Sequence, residues 1–312
     1  MSDTQLFEEI IELPDTDSGR RYDALVGLED VKSRLAKEAG ILLNPSLLED
    51  WSKSKHGRSI PLIKIFEDRH PLFIFAGDVG TGKTTLAETF GDSLSRTNKL
   101  GIILYRLSLN IRGSGAVGEM TRLVSAAFTE VKDYAKKLKP TNGKYSSACI
   151  LLIDEADSLA QSREFDQMHH EDRAGVNALI QGIDSITKAH LPVITVMCTN
   201  RLNAIDPALR RRAAATFEFS RPDEAQRLNI LQKYLAETGI SNEELQTLAK
   251  STGTNESRDY GYTYSDITQK ILPSILLKSY PENAIDVATI SEVIKNTPPT
   301  IPFNAVSYTH LR

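Results

Sequence analysis

The chain has 312 residues, 40% hydrophobic and 25% charged, proportions of an ordinary globular protein that exclude collagen, disulfide scaffolds and long disordered tails. Thirty-seven Lys and Arg face 41 Asp and Glu, and a formal charge of −4 gives no global field toward nucleic acid or anionic lipid. At roughly 150 residues per domain the length predicts about two domains, or one large domain carrying a smaller one.

The N-terminus, MSDTQLFEEIIELPDTDSGRR, opens acidic and has neither a basic n-region nor a long apolar run, so no secretory or transit signal is expected. No stretch approaches the roughly 18 apolar residues of a membrane span. Five short apolar runs follow: Pro71 to Ala76, Ile102 to Leu107, Cys149 to Ile153, Val193 to Cys198, and Thr216 to Phe219. Most are continuous, as strands buried on both faces of a parallel sheet are. Segments of helical period lie between them. Met120 to Lys136 carries Leu123, Val124, Ala127, Phe128 and Val131 on one face; Asp172 to Ile186 carries Val176, Leu179, Ile180 and Ile183. This alternation predicts a doubly wound α/β domain. Cys149 and Cys198 fall inside two of the strands and read as small core hydrophobes, which makes a reducing cytoplasm the natural compartment.

Asn110 to Gly118, Lys139 to Ser147 and Ala160 to Glu171 are rich in glycine, polar residues or charge and read as loops. After Ser220 the composition changes. Arg221-Pro222-Asp223-Glu224 is a helix start, two or three helices are expected to about Lys295, and the closing stretch NTPPTIPFNAVSYTHLR carries no usable pattern. The expected division is an N-terminal segment at 1–20, a large domain at 21–220, a helical domain at 221–297 and a tail at 298–312.

The most specific signal is Gly77-Asp78-Val79-Gly80-Thr81-Gly82-Lys83-Thr84, which fits G-x-x-x-x-G-K-[ST] between the apolar run PLFIFA and the helical TTLAETFGDSL that takes in Thr85. Glycines let the backbone wrap phosphate with its N–H groups inward, and the following helix presents its positive end. Lys83 reaches the β- and γ-phosphates, and Thr84 offers a hydroxyl to Mg²⁺. Chance would supply only ~0.01 such matches in a chain of this length, against the alternative of a glycine-rich turn with a solvated lysine.

Cys149-Ile150-Leu151-Leu152-Ile153-Asp154-Glu155 is a buried strand ending in two carboxylates. Downstream of a phosphate loop, Asp154 reads as a magnesium-shell ligand and Glu155 as the residue polarising the attacking water. Alone, the pair would be a solvated loop start about as often as a site. The strand Val193 to Cys198 runs into Thr199-Asn200, where Asn200 is either a turn residue or an amide between water and γ-phosphate. Beyond it, Ile205-Asp206-Pro207-Ala208-Leu209-Arg210-Arg211-Arg212 carries three arginines, either a solvated basic face or a finger toward the γ-phosphate of a neighbouring subunit.

This order of motifs resembles the AAA+ ATPases and, within them, the AAA group, over roughly Tyr22 to Leu277. Val26-Gly27-Leu28-Glu29-Asp30-Val31-Lys32 precedes GDVGTGKT, LLIDEAD, VNALIQGID, VMCTNR and IDPALRRR. The resemblance implies an αβα domain of strand order 5-1-4-3-2, a small helical lid, ATP and Mg²⁺ as cofactors, and a homo-oligomeric ring, usually a hexamer, with sites between subunits. Arg211 and Arg212 become the finger candidates. VNALIQGID after the long DEADSLAQSREFDQMHHEDRAG loop, together with the small lid, is most similar to the pachytene-checkpoint ATPases that remodel HORMA-domain proteins. Their bacterial relatives act in antiphage systems built on cyclic-oligonucleotide signalling. The resemblance therefore implies an ATP-driven remodeller that opens a HORMA-domain protein, its pore loops spanning Ile111 to Val117 and Gln161 to Asp172.

Two departures stand out. The first pore loop of AAA unfoldases usually carries an aromatic residue, but here that place holds Ala116, leaving Ile111, Arg112 or Val117 to supply the contact. The relatives' lid carries G-x-S-G-R, whereas this chain reads Gly261-Tyr262-Thr263-Tyr264-Ser265-Asp266, so no lid arginine is assigned. The competing functions are a nucleic-acid-acting loader or bridging ATPase, a generic unfoldase, and a nucleotide-gated scaffold. Net acidity and the lack of a basic, aromatic-interleaved stripe oppose nucleic acid. His169 and His170 read as polar loop residues rather than a metal site, and Tyr260, Tyr262 and Tyr264 as packing before a lid helix.

Overall fold

A computed structural model describes residues 6–107, 118–141, 144–158, 170–256 and 258–303, leaving aside the side chains of 158 and 170–173. Among the described residues six strands form one sheet: β1 (Phe7–Leu13), β2 (Leu72–Gly77), β3 (Gly101–Leu107), β4 (Ser147–Ile153), β5 (Val193–Thr199) and β6 (Ala215–Phe219). Their order is β1-β3-β4-β5-β2-β6. The pairs β2–β5, β3–β4 and β4–β5 are parallel, with Phe73 opposite Val196, Ile103 opposite Cys149 and Leu151 opposite Thr195. β2, β4 and β5 are buried along almost their whole length, which is why they read as continuous apolar runs. The five expected strands therefore lie in the expected 5-1-4-3-2 order.

The sixth strand is a correction. Sequence reading found no strand before Pro71, yet β1 runs antiparallel beside β3 with Ile10 opposite Tyr105 and Leu13 opposite Ile102. In FEEIIEL only Phe7 and Leu13 are buried, and three glutamates hide the pattern. An edge strand needs backbone partners more than an apolar face.

Helices α1 (Thr16–Ala24), α2 (Glu29–Leu43), α3 (Ser46–His56) and α4 (Leu62–Glu67) precede β2; α5 (Lys83–Asn98), α6 (Glu119–Ala135) and α7 (His170–Lys188) connect later strands; α8 (Pro207–Arg212) precedes β6. α6 and α7 occupy the two segments where helical period was expected. The α6 stripe of Leu123, Val124, Ala127, Phe128 and Val131 is buried in one core with Leu151, Ile153, Val176, Leu179 and Ile183. Both cysteines are buried and unbridged, and burial pushes the Cys149 thiol up to about 12.

Gly182 fixes how closely α6 and α7 approach. A Cβ built there would lie 2.4 to 2.6 Å from three ring atoms of Phe128, itself only 3% exposed. Helix propensity favours alanine over glycine by roughly 1 kcal/mol, but a buried aromatic ring has nowhere to move. Gly182→Ala should therefore lower stability by about 2 kcal/mol, read as a reduced midpoint in chemical denaturation.

The structure divides into two compact units. The first comprises Met1–Ala24, Asp30–Ala76 and Thr84–Glu218; the second comprises Leu25–Glu29, Gly77–Lys83 and Phe219–Arg312. Among the described residues the second holds four helices, α9 (Glu224–Leu235), α10 (Asn242–Ser251), α11 (Leu272–Ser279) and α12 (Val287–Asn296), one more than the upper expectation. Reciprocal capping boxes, Asp223 with Gln226 and Ser241 with Glu244, start α9 and α10. Ile230, Leu231, Leu248, Tyr262, Ile267, Ile275 and Ile290 fill the core.

Tyr262 packs as expected, its hydroxyl lying 2.7 Å from both the Ile294 and the Thr297 carbonyl, so that its one proton is shared between them. A π-helical turn, Asp266–Ile271, leads into α11. Burial would raise the Asp266 pKa, but hydrogen bonds from Lys270, from the Thr300 hydroxyl and from the backbone N–H groups of Thr263 and Thr300 outweigh it and hold the carboxyl at about 2. The first residues of the tail, which had no sequence pattern, are thereby tied to this unit. Among the described residues no helix is long and apolar enough to cross a membrane.

Candidate functional site

Within the second unit, the backbone turns sharply as β2 ends. Gly77 has φ 157°, and a Cβ there would sit 2.1 Å from the Phe219 carbonyl, so no larger residue fits. Gly80, at φ 74°, lies against Thr263 and Ser265: its carbonyl accepts from the Ser265 N–H at 3.1 Å, and a Cβ would approach the Thr263 hydroxyl to 2.8 Å. The Asp78 carbonyl accepts from Lys83 Nζ at 2.7 Å and from the Thr81 hydroxyl at 2.8 Å. The lysine is thus curled over its own loop, and α5 starts at Lys83 with its N-terminal N–H groups beyond the glycines. Such a loop is a nest for phosphate oxygens.

In the first unit, β4 delivers Asp154 and Glu155 at its C-terminal end. The Thr84 hydroxyl donates to Asp154 Oδ1 at 3.3 Å, and the Glu155 N–H donates to the same oxygen at 2.9 Å. One hydroxyl and one carboxylate therefore converge, and these hard oxygens suit magnesium, which takes one or two carboxylates and completes its shell with phosphate and water. Glu155 sits at φ 48°, a left-handed conformation that costs a non-glycine residue on the order of 1 kcal/mol, and its side chain is exposed. At the end of β5, the Thr199 hydroxyl donates to Asp157 Oδ1 at 3.2 Å and accepts from the Arg201 N–H at 2.9 Å. These bonds fix the turn that carries the half-buried Asn200.

Sequence reading missed a charged network beside Asp154. Arg106, near the end of β3, places Nη2 3.6 Å from Asp154 Oδ2, pairs through Nη1 with the buried Glu88, and lies 3.1 Å from Glu8 of β1. Arg21 of α1 also pairs with Glu88. Two signals were available: an arginine interrupting the apolar run IILYRL, and an acid one helical turn after Thr84.

α8 is capped by Asp206, whose Oδ1 accepts from the Ala208 N–H at 2.8 Å, and it anchors through the buried Leu209. Its arginines differ. Arg212 grips Asp184 of α7 with two bonds, Nε to Oδ1 at 2.7 Å and Nη2 to Oδ2 at 3.1 Å. These bonds are the main reason the Asp184 carboxyl is held below its usual range. Arg210 and Arg211 are exposed and pair with nothing among the described residues. Ile111, Arg112, Ala116, Val117, residues 161–169 and the side chain of His170 lie outside the described residues. Among the described residues no cluster of three or more His, Cys, Asp or Glu could hold a metal by itself.

Residues 73–221 match the model of the ATPase family associated with various cellular activities (AAA). The chain is 49% identical to CD-NTase-associated protein 6 of Escherichia coli strain MS 115-1 over 96% of both sequences. The chain belongs to the AAA family of ATPases. A second CD-NTase-associated protein 6, from Escherichia coli strain KTE188, is 39% identical to this AAA chain over 95% of it and 96% of the relative. Among solved structures, a chain of the E. coli MS115-1 HORMA:CdnC:Trip13 complex superposes with a TM-score of 0.89 and 47% identity, covering 96% of this chain and 97% of that one. Rhizobiales Trip13 superposes with a TM-score of 0.76 and 40% identity, over 95% and 100%. C. elegans PCH-2, 19% identical at a TM-score of 0.64, shares the AAA fold.

Proposed function

We propose that this AAA protein is a ring-forming, Mg²⁺-dependent ATPase that opens or disassembles a HORMA-domain protein regulating a cyclic-oligonucleotide antiphage system in the cytoplasm. The observation that carries the reading is end-to-end similarity: 49% identity over 96% of both chains to CD-NTase-associated protein 6, and a TM-score of 0.89 against a chain of a HORMA:CdnC:Trip13 complex. Gly77 to Thr85 take the nucleotide, with backbone N–H groups and Lys83 on the phosphates. Thr84 and Asp154 hold the magnesium, which when bound neutralises charge on the β- and γ-phosphates. Glu155 orients and polarises the attacking water, and Asn200 holds its amide toward the same reaction centre.

Because Arg211 is exposed and unpaired among the described residues, it is the stronger candidate for a finger donated to the next subunit, whose site is then incomplete without it. Arg212, the other candidate, acts through its grip on Asp184. Residues 21–220 form the nucleotide-binding domain and 221–297 the lid. Ile111, Arg112 and Val117 supply the substrate-gripping segment in place of an aromatic residue.

The test is phosphate release from ATP with Mg²⁺, with and without a HORMA-domain protein, together with the mass of the assembly in ATP. Turnover stimulated by the HORMA protein and a hexameric mass are expected. Turnover stimulated by DNA instead, falling steeply with salt as counterion release requires, would turn the reading toward a nucleic-acid loader.

A further inference from the structure

A carboxylate inside a loop built for triphosphate is electrostatically costly, because its charge opposes the ligand's. Asp78 is such a residue, and its environment shows how that charge is handled. Asp78 Oδ2 accepts from both Nε and Nη2 of Arg221, at 2.8 and 2.6 Å. Oδ1 accepts from the Val79 N–H at 2.9 Å and from the Phe303 N–H at 3.1 Å. Both partners are largely buried, with side-chain exposures of 13% for Arg221 and 18% for Asp78. The third edge of the guanidinium donates from Nη1 to the Gly261 carbonyl at 2.7 Å, and its face lies 5.1 Å from the centre of the Tyr260 ring. Each guanidinium nitrogen of Arg221 thus donates to an acceptor, and the planar fork has one orientation.

We infer that Arg221 is a nucleotide-positioning residue: it neutralises the Asp78 carboxylate and thereby makes the phosphate loop receptive to polyphosphate. The inference rests on the ATP reading of that loop and adds a residue to it. Arg221 also ties the loop to the Tyr260–Gly261 turn, and Phe303 ties the same carboxylate to the C-terminal segment, so the loop's charge state and its lid-side attachment share one ion pair. In a chain lacking the G-x-S-G-R arginine, Arg221 is a lid-side cation in direct contact with the loop. Loss of Arg221 leaves a buried carboxylate with only two backbone donors, facing the more highly charged ATP less favourably than ADP.

The experiment is titration of the full chain with fluorescent ATP and ADP analogues, with thermal unfolding as a check on folding. Arg221→Gln should weaken ATP binding roughly tenfold and ADP binding by less. Adding Asp78→Asn to Arg221→Gln should recover most of the lost affinity, because the offending charge is gone. Arg221→Lys, which keeps the charge and loses the fork, should fall between wild type and Arg221→Gln, and it serves if the glutamine variant does not fold. A double variant as weak as Arg221→Gln, with ATP and ADP reduced equally, would mean that the pair merely fastens the loop, and it would overturn the inference. Unchanged affinity in Arg221→Gln would overturn it as well. A wild-type chain that takes up no nucleotide would instead sink the ATP reading, and the inference with it.

Discussion

Glu155→Gln should bind ATP about as tightly as the wild type and hydrolyse it 10²- to 10⁴-fold more slowly, the range over which a positioned general base contributes. The substitution is nearly isosteric, and the Glu155 side chain is exposed, so folding should be untouched. The bond from its N–H to Asp154 Oδ1 at 2.9 Å belongs to the backbone and survives the change. The variant should therefore retain Thr84 and Asp154 in place and arrest the cycle with ATP bound, accumulating complexes with the proposed HORMA-domain partner that size-exclusion chromatography resolves. Wild-type turnover in this variant would remove Glu155 from its role. The contrasting control is Lys83→Ala, which removes the cation now resting on the Asp78 carbonyl and should fail at the binding step.

Arg211→Ala should reduce turnover by a factor on the order of 10³, the lower end of what an arginine finger supplies in trans. ATP binding by the variant should persist, since in the proposed role the residue acts on a neighbour's nucleotide. Mixing decides between a finger and an ordinary defect. Arg211→Ala subunits have intact loops, and Glu155→Gln subunits have intact arginines, so mixed assemblies should recover activity that neither parent shows. No recovery would argue that Arg211 is a solvated surface residue. Arg212→Ala should behave differently. Removing two charge-assisted bonds to Asp184 should lower thermal stability by about 2 kcal/mol as well as activity, because a partly buried carboxylate loses its guanidinium partner and keeps only the His70 imidazole, 3.2 Å away.

The parts legible in the sequence are those with a strong local signature. β2, β4 and β5 read as strands because both faces are buried, and the α6 stripe because its period is unbroken. The phosphate loop was legible for a different reason: its glycines answer to backbone geometry that no other residue satisfies, as the 2.1 Å approach at Gly77 shows. What escaped was long-range. β1 owes its state to backbone bonds with β3, most of a hundred residues away, and its own side chains are mostly exposed. The bonds from Arg221 to Asp78 span 143 residues, and the pairing of Arg106 with Glu88 depends on which strand neighbours which helix. Charge partners cannot be read before topology is known. Arg211 and Arg212 were equivalent candidates in sequence, and only the position of Asp184 on α7 separates them.

The edge strand has a mechanical meaning. Under the proposed function, the substrate-gripping segment follows Leu107 in the chain, so load from a captured polypeptide enters at the C-terminal end of β3. That strand is paired at six positions with antiparallel β1 on one side and at six with parallel β4 on the other. Tension along its axis loads both ladders in shear, so the hydrogen bonds resist together instead of opening one at a time. Without β1, the strand bearing the load would be held from one side only. An acidic heptapeptide that buries two residues thus doubles the anchorage of the segment that must not yield when the partner does.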